Sequence, residues 1–211
     1  MVFLITIPAA VGLSCLSREV FTILYGSEQG YELMMIGSVV LIFMAVAQIQ
    51  TVLLQSMNKL YYVLGTFIIG LTFKIIANYI LVGMKDINIM GVVVGNFLWF
   101  FIPCILNQRA LKKALRVKIH MIRNIIKPLI ASAVMALVLY WIRIPINILL
   151  ELTYKNMILY VASTILLIAI GGFVYLYLII LLGGLRKKDL DSISGRIYKM
   201  LPKFMRDNMH L

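Results

Sequence analysis

Long uncharged runs of apolar residues recur from one end of this chain to the other, and each is long enough to cross a lipid bilayer as a helix. A bilayer core about 30 Å thick takes ~20 helical residues. Because a lipid-exposed backbone must satisfy its own hydrogen bonds, and the runs lack the alternation of barrel strands, helices are predicted. Hydrophobic residues make up 63% and charged residues 13% of the 211 positions, which is outside the range of soluble domains. The predicted fold class is an all-α integral membrane protein with about six transmembrane helices, near 3–24, 33–56, 61–83, 88–108, 127–145 and 157–182.

The lysines and arginines are unevenly divided between the two sides of these spans. The second and fourth connections and the tail hold 15 of the 20 basic residues, and Lys74 lies inside a span. The positive-inside rule therefore predicts cytoplasmic termini, in a multi-pass protein of the cell membrane. The 15 residues are Lys59, Arg109, Lys112, Lys113, Arg116, Lys118, Arg123, Lys127, Arg186, Lys187, Lys188, Arg196, Lys199, Lys203 and Arg206.

The formal net charge of +12 is explained by these loops. Basic loops beside spans set orientation and attract the anionic headgroups of membrane lipids, which are the expected partners. No nucleic-acid partner is expected, because no RNP, zinc-finger or helix-turn-helix pattern accompanies the charge. The first apolar run has no basic residues before it, so it is interpreted as a retained helix or the cut edge of a longer protein, not as a signal peptide.

The basic connection divides the chain into parts. Residues 1–108 are predicted as a four-helix part and 109–126 as a basic cytoplasmic connection. That connection either lies along the membrane interface or is a plain solvated linker. Residues 127–184 are predicted as an additional transmembrane helix pair and 185–211 as a basic cytoplasmic tail.

The groups needed for catalysis are missing from the predicted spans. All eight acidic residues fall in loops, span ends or the tail, and His120 and His210 are cytoplasmic. No carboxylate pair, metal cluster or Ser/His/Asp set can therefore be assembled, and no phosphate loop is present. Cys15 and Cys104 lie in apolar runs and are interpreted as packing residues. No enzymatic activity, catalytic residue, metal site or cofactor is expected.

One ionisable residue, Lys74, is predicted within a span, and Asn78 lies four residues later on the same helix face. A lysine near the bilayer centre costs ~2.5–3.5 kcal/mol on insertion scales, so such residues usually face a cavity or a partner. The two side chains would then present hydrogen-bond donors to a phosphate or a sugar hydroxyl. The alternative is a lysine that snorkels to the interface or pairs with an acid elsewhere.

A second polar feature lies on the cytoplasmic half of the second span. Gln48, Thr51 and Gln55 recur at i, i+3 and i+7 and form one stripe. The stripe either lines an aqueous path or forms interhelical hydrogen bonds worth ~0.6 kcal/mol each. Lys74, Asn78, Gln48 and Gln55 are the candidate substrate-binding residues. Gly91 and Gly95 form a GxxxG pair that predicts close helix packing.

Several stretches resemble, in order and spacing, the C-terminal half of the polysaccharide-biosynthesis flippases of the MOP exporter superfamily. Within that superfamily the chain is most similar to the stage V sporulation protein B group and the MurJ-type lipid II flippases. The stretches are 7–13 (IPAAVGL), 16–20 (LSREV), 24–26 (LYG), 54–59 (LQSMNK), 74–81 (KIIANYIL) and 89–96 (IMGVVVGN).

The resemblance implies a MATE/MOP-like bundle, with the six helices here corresponding to spans nine to fourteen of fourteen. Residues 1–108 would then belong to the C-terminal transporter lobe, and Lys74 and Asn78 match the pattern of the eleventh span. The implied function is the flipping of an undecaprenyl-pyrophosphate-linked saccharide, such as a peptidoglycan precursor, by rocking of two lobes. A missing N-terminal lobe or a partner chain is expected, because only part of the family's length is present.

Three alternatives come from other classes. A non-catalytic assembly or structural subunit would explain the lack of chemistry. A degenerate remnant would have no function. A cation-coupled multidrug exporter is disfavoured, because it needs intramembrane carboxylates that the sequence places outside the spans.

Overall fold

The computed structural model describes residues 2–84, 87–115, 121–153 and 157–183, where the secondary structure is helical and contains no strand. The tail predicted at 185–211 lies outside these residues. Within the described ranges the helices are α1 (Val2–Cys15), α2 (Ser17–Tyr25), α3 (Tyr31–Gly37), α4 (Val40–Ser56), α5 (Leu60–Val82), α6 (Met90–Leu115), α7 (Met121–Thr153) and α8 (Met157–Leu181).

The fold-class prediction is confirmed: the chain is an all-α, multi-pass membrane protein. Five of its described stretches are long and apolar enough to cross a membrane, and α1 with α2 makes a sixth if a bent pair counts as one crossing. The five are Tyr31–Ser56, Leu60–Val82, Met90–Ala114, Ile125–Ile144 and Met157–Leu181.

The first predicted span, 3–24, is not one straight helix. α1 and α2 meet at Leu16 with a bend of 74°. Leu16 has φ −101° and ψ 18°, outside the helical region, so the helix is interrupted at this residue. The prediction of a single helix is wrong here because hydropathy measures the apolar content of a window and does not register a backbone break.

The turn after α4 has a local cause in the sequence. Asn58 has φ 57°, and asparagine tolerates the left-handed conformation better than most residues. The N–H groups of Lys59 and Asn58 donate to the carbonyls of Leu54 and Gln55, each at 3.0 Å, which is the Schellman pattern of helix termination. The chain thus reverses within a few residues, so α5 begins at the end of the bundle where α4 finishes.

Helices α6 and α7 extend beyond the predicted spans. α6 continues to Leu115 and α7 begins at Met121. The stretch 109–126 is therefore helical at both ends, and 116–120 lies outside the described residues. The 33 residues of α7 exceed the ~20 that a bilayer requires, and its apolar window is Ile125–Ile144.

The helices pack as two groups. α6 contacts both α4 and α5, whereas α7 contacts both α1 and α8. The first bent span thus shares a core with the last two helices, across the predicted boundary at 109–126. The core of the first group contains Leu54, Val63 and Leu111, and that of the second contains Leu16, Ala131, Met135, Leu139, Leu167, Tyr175 and Ile179.

Candidate functional site

An apolar cleft of about 460 Å³ lies between α1, α7 and α8. Along α1 its lining runs from Leu4 to Leu13, which corresponds to about 14 Å at the helical rise. Aliphatic side chains and glycines form most of the walls. Such a cleft is suited to an apolar chain and offers no set of groups for acid–base chemistry.

One end of the cleft is held by an unusual hydrogen bond to α1. Pro8 lies inside α1 and has no N–H, so the carbonyl four residues earlier, on Leu4, loses its helical partner. The hydroxyl of Tyr175 on α8 donates to this carbonyl at 2.7 Å. Both Pro8 and Tyr175 line the cleft. The bond therefore joins α1 to α8 inside an apolar environment, where an unpaired carbonyl is costly.

Glycines keep the cleft open between the helices. A Cβ added at Gly172 would meet nothing within 4 Å, and one at Gly12 would lie 3.8 Å from the terminal methyl of Met135. Gly171 differs, because a Cβ there would lie 3.1 Å from a methyl of Leu139. The side of α8 that carries Gly172 thus borders open space in the cleft, whereas Gly171 permits close packing on α7.

A buried ion pair lies beside the break between α1 and α2. Nε of Arg143 on α7 lies 2.6 Å from Oε1 of Glu19 on α2. The Nη1 group of the same guanidinium donates at 3.1 Å to the carbonyl of Cys15, the last residue of α1. The side chain of Glu19 is 2% exposed and that of Arg143 is 25% exposed. One cation therefore contacts both sides of the break.

Glu19 was expected, with the other acidic residues, in a loop, a span end or the tail, and its side chain forms a buried contact with Arg143 between helices. Arg143 supplies the counter-charge of Glu19. Among the residues that the structure describes, no three His, Cys, Asp or Glu side chains group closely enough to hold a metal ion.

A buried amide cluster joins the other group of helices. Nε2 of Gln50 on α4 donates to Oε1 of Gln108 on α6 at 2.9 Å. The hydroxyl of Thr66 on α5 lies 3.0 Å from Oδ1 of Asn107. Gln50, Asn107 and Thr66 are all buried. These bonds tie α4, α5 and α6 together, which is the interhelical role that polar side chains have in membranes.

The candidates Lys74 and Asn78 both lie against α6, as residues four apart on one helix face should. Nζ of Lys74 lies 4.2 Å from the centroid of the Trp99 ring, within the range of a cation–π contact. Oδ1 of Asn78 is buried against Gly95 and has no hydrogen-bond partner among the described residues. No acidic partner of Lys74 is seen in the described ranges, and its role in binding remains a prediction.

The candidates Gln48 and Gln55 are exposed on the surface of α4, and Thr51 between them is half-buried. The buried polar residue of α4 is Gln50, which lies off the predicted stripe. In the described part of the chain, no hydrogen bond joins Gln48 or Gln55 to Lys74 or Asn78. A binding role for Gln48 and Gln55 stays a prediction.

Neither the cleft nor the Glu19–Arg143 pair was predicted from the sequence. Glu19 and Arg143 lie near the ends of the predicted spans 3–24 and 127–145, so the sequence shows two opposite charges at span ends but not that they pair. The cleft has no comparable signal, because it depends on which helices pack together.

No protein-family profile matches the chain, and no solved structure shows a significant match. The chain is 27% identical over 218 aligned residues to the protein described as lipid II flippase MurJ of Bacillus subtilis (strain 168). The alignment covers 100% of this chain and 38% of that protein. The chain thus spans well under half the length of this relative.

Proposed function

We propose that this chain is part of a flippase that moves a lipid-linked saccharide across the cell membrane. The substrate would carry an undecaprenyl-pyrophosphate group, as peptidoglycan precursors do. The weak similarity to a lipid II flippase and the multi-pass helical fold support this proposal. Because the chain spans 38% of that relative's length, transport also needs further helices, from a missing N-terminal lobe or a partner chain.

The observation that carries the proposal is the cleft between α1, α7 and α8. Its walls are apolar and its volume is about 460 Å³, which suits a segment of a polyprenyl tail. In a membrane, lipid chains would fill such a cleft when no substrate is bound. A binding function therefore predicts that the polyprenyl substrate displaces these lipid chains, and that a narrower cleft binds the substrate less tightly.

The polar candidates have a separate role in the proposal. Lys74 and Asn78 would take the pyrophosphate or a sugar hydroxyl, with Lys74 leaving the Trp99 ring to do so, because a phosphate is a stronger partner for an ammonium group than an aromatic face. Gln48 and Gln55, which are exposed on α4, would contact the saccharide. A structural subunit predicts instead that Lys74→Leu and Asn78→Leu change complex formation and leave transport unchanged.

The proposal is tested by narrowing the cleft at Gly172. Gly172 lines the cleft and an added Cβ there meets nothing within 4 Å, so we expect the fold to accept leucine and its side chain to occupy part of the cleft. The protein would be placed in nanodiscs with a photoreactive undecaprenyl-pyrophosphate analogue, and covalent labelling of α1, α7 and α8 peptides measured by mass spectrometry. We expect labelling to fall about tenfold in Gly172→Leu, equivalent to ~1.4 kcal/mol of binding.

The matched control is Gly65→Leu on α5, where an added Cβ also meets nothing within 4 Å and which is not among the residues that line this cleft. Both substitutions change helix propensity in the same way. Labelling should be unchanged in Gly65→Leu. Equal labelling of the native protein and Gly172→Leu would contradict the proposal.

A further inference from the structure

The side chain of Arg143 contacts both sides of the break between α1 and α2. α1 ends with carbonyl groups that have no helical partner, and Nη1 of Arg143 donates to the carbonyl of Cys15 at 3.1 Å. Its Nε lies 2.6 Å from Glu19, in the first turn of α2. A planar guanidinium with several donors can hold two acceptors at once, which an ammonium group does poorly.

This contact lies at one end of the cleft. Leu139 lines the cleft, and Arg143 is four residues later on α7, on the same helix face. Leu16, at the break, and Val20, one residue after Glu19, line the cleft from the other side. Val20 of α2 therefore lines this end of the cleft, and Arg143 contacts α2 beside it through Glu19.

The pair is not a fully satisfied part of the core. Oε2 of Glu19 is buried and has no hydrogen-bond partner among the described residues. Arg143 is partly exposed. At its other end α2 terminates at Gly26, which is in the left-handed conformation and exposed. α2 is thus a short helix with a bend at one end and an exposed turn at the other.

We infer that the Glu19–Arg143 pair holds α2 across the end of the cleft, and that loss of the pair opens this end to water. Arg143 acts here as a positioning residue, through α2, and not by touching whatever the cleft binds. The inference does not depend on the identity of that molecule, so it stands or falls separately from the flippase proposal.

Native Cys15 reports on this opening. Its thiol is half-buried beside the core that α1 shares with α7 and α8. Cys104 is the other of the two cysteines, so Cys104→Ser leaves a single reporter. The rate of labelling by a membrane-impermeant maleimide would be measured on the otherwise intact chain in nanodiscs. We expect the rate to rise about tenfold in Arg143→Met and several-fold in Glu19→Gln.

The matched control is the second ion pair of α2, between Arg18 and Glu28. The shortest contact of that pair is 2.5 Å, and both side chains are well exposed to solvent. Arg18→Gln should leave the labelling of Cys15 unchanged. A rise equal to that of Arg143→Met would show that any charge lost near α2 has the same effect, and would overturn the inference.

Two further measurements separate opening from general loosening. In a Cys15→Ser background, Cys104 must label at the same rate with and without Arg143→Met, and a parallel rise at both cysteines overturns the inference. If Arg143→Met does not accumulate, Arg143→Lys replaces it. Lysine keeps the charge but cannot hold both Glu19 and the Cys15 carbonyl, so labelling should rise about threefold, and an unchanged rate would also overturn the inference.

Discussion

Pro8 removes the N–H that would bond the carbonyl of Leu4, and the hydroxyl of Tyr175 replaces it from another helix. Pro8 thus leaves a carbonyl of α1 without its helical donor, and a side chain of α8 supplies the missing hydrogen bond. In lipid this matters more than at a protein surface, because no water is available to take the place of the missing donor.

Tyr175→Phe should lower stability by about 1 kcal/mol, the usual worth of one hydrogen bond, because the carbonyl of Leu4 is then unpaired. Stability would be measured from the loss of helical circular dichroism in SDS titrations of mixed micelles. In a Pro8→Ala background the N–H of residue 8 satisfies Leu4, so the same substitution should cost markedly less. Equal costs in both backgrounds would show that the hydroxyl does not serve the carbonyl freed by Pro8.

The position of Lys74 is predictable from the sequence, but its aromatic neighbour is not. Its charge, its place in a span and its shared face with Asn78 are all readable from the sequence, and in the structure both side chains lie against α6. The Trp99 ring as its neighbour is not readable, because α6 lies further along the chain and its rotation about its own axis is set by packing. Whether Lys74 binds substrate stays a prediction.

At the scale of elements, α5 and α6 approach closely because glycines lie where the helices meet. A Cβ at Gly70 would lie 2.8 Å from the carbonyl oxygen of Trp99, and one at Gly91 would lie 2.7 Å from Cβ of Leu81. The GxxxG pair of α6 packs on α5, which confirms the packing interpretation of Gly91 and Gly95. Gly70, the glycine of α5 at this contact, also faces the ring of Pro103.

Gly70→Ala should separate α5 from α6 and cost about 1–3 kcal/mol, since the added methyl meets backbone and a proline ring that cannot move aside. This loss of stability is measured by the same SDS titration. Gly65→Ala is the control on the same helix, because its Cβ would meet nothing within 4 Å. It should cause no loss of stability, and a similar loss in both variants would mean that the close approach at Gly70 is not the cause.

For the molecule as a whole, the two groups of packed helices have different polar contacts. Gln50, Gln108, Thr66 and Asn107 join α4, α5 and α6, whereas Arg143 joins α7 to the bent first span. Large apolar side chains remain exposed along α5 and α8, as expected where a helix faces lipid or further protein.

The flippase proposal predicts that this chain, reconstituted alone in proteoliposomes, fails to flip a fluorescent lipid-linked saccharide above the protein-free rate. Adding the remaining lobe from a full-length relative should raise the rate at least tenfold, because alternating access needs two bodies that move against each other. Flipping by the chain alone, at the rate of a full-length flippase, would contradict the requirement for a second lobe.

The sequence by itself determined the class of fold, because each apolar run must satisfy its backbone internally and each run has the length of a bilayer crossing. It also determined the shared face of Lys74 and Asn78 and the packing role of Gly91 and Gly95, since these depend only on helical spacing. The tertiary structure alone decided the bend at Leu16, the pairing of Glu19 with Arg143 and the cleft between α1, α7 and α8. The pairing and the cleft depend on contacts between the first helices of the chain and the last two, and hydropathy carries no information about which apolar helices become neighbours, because lipid and leucine are equally apolar. The bend is a local backbone break that hydropathy does not register.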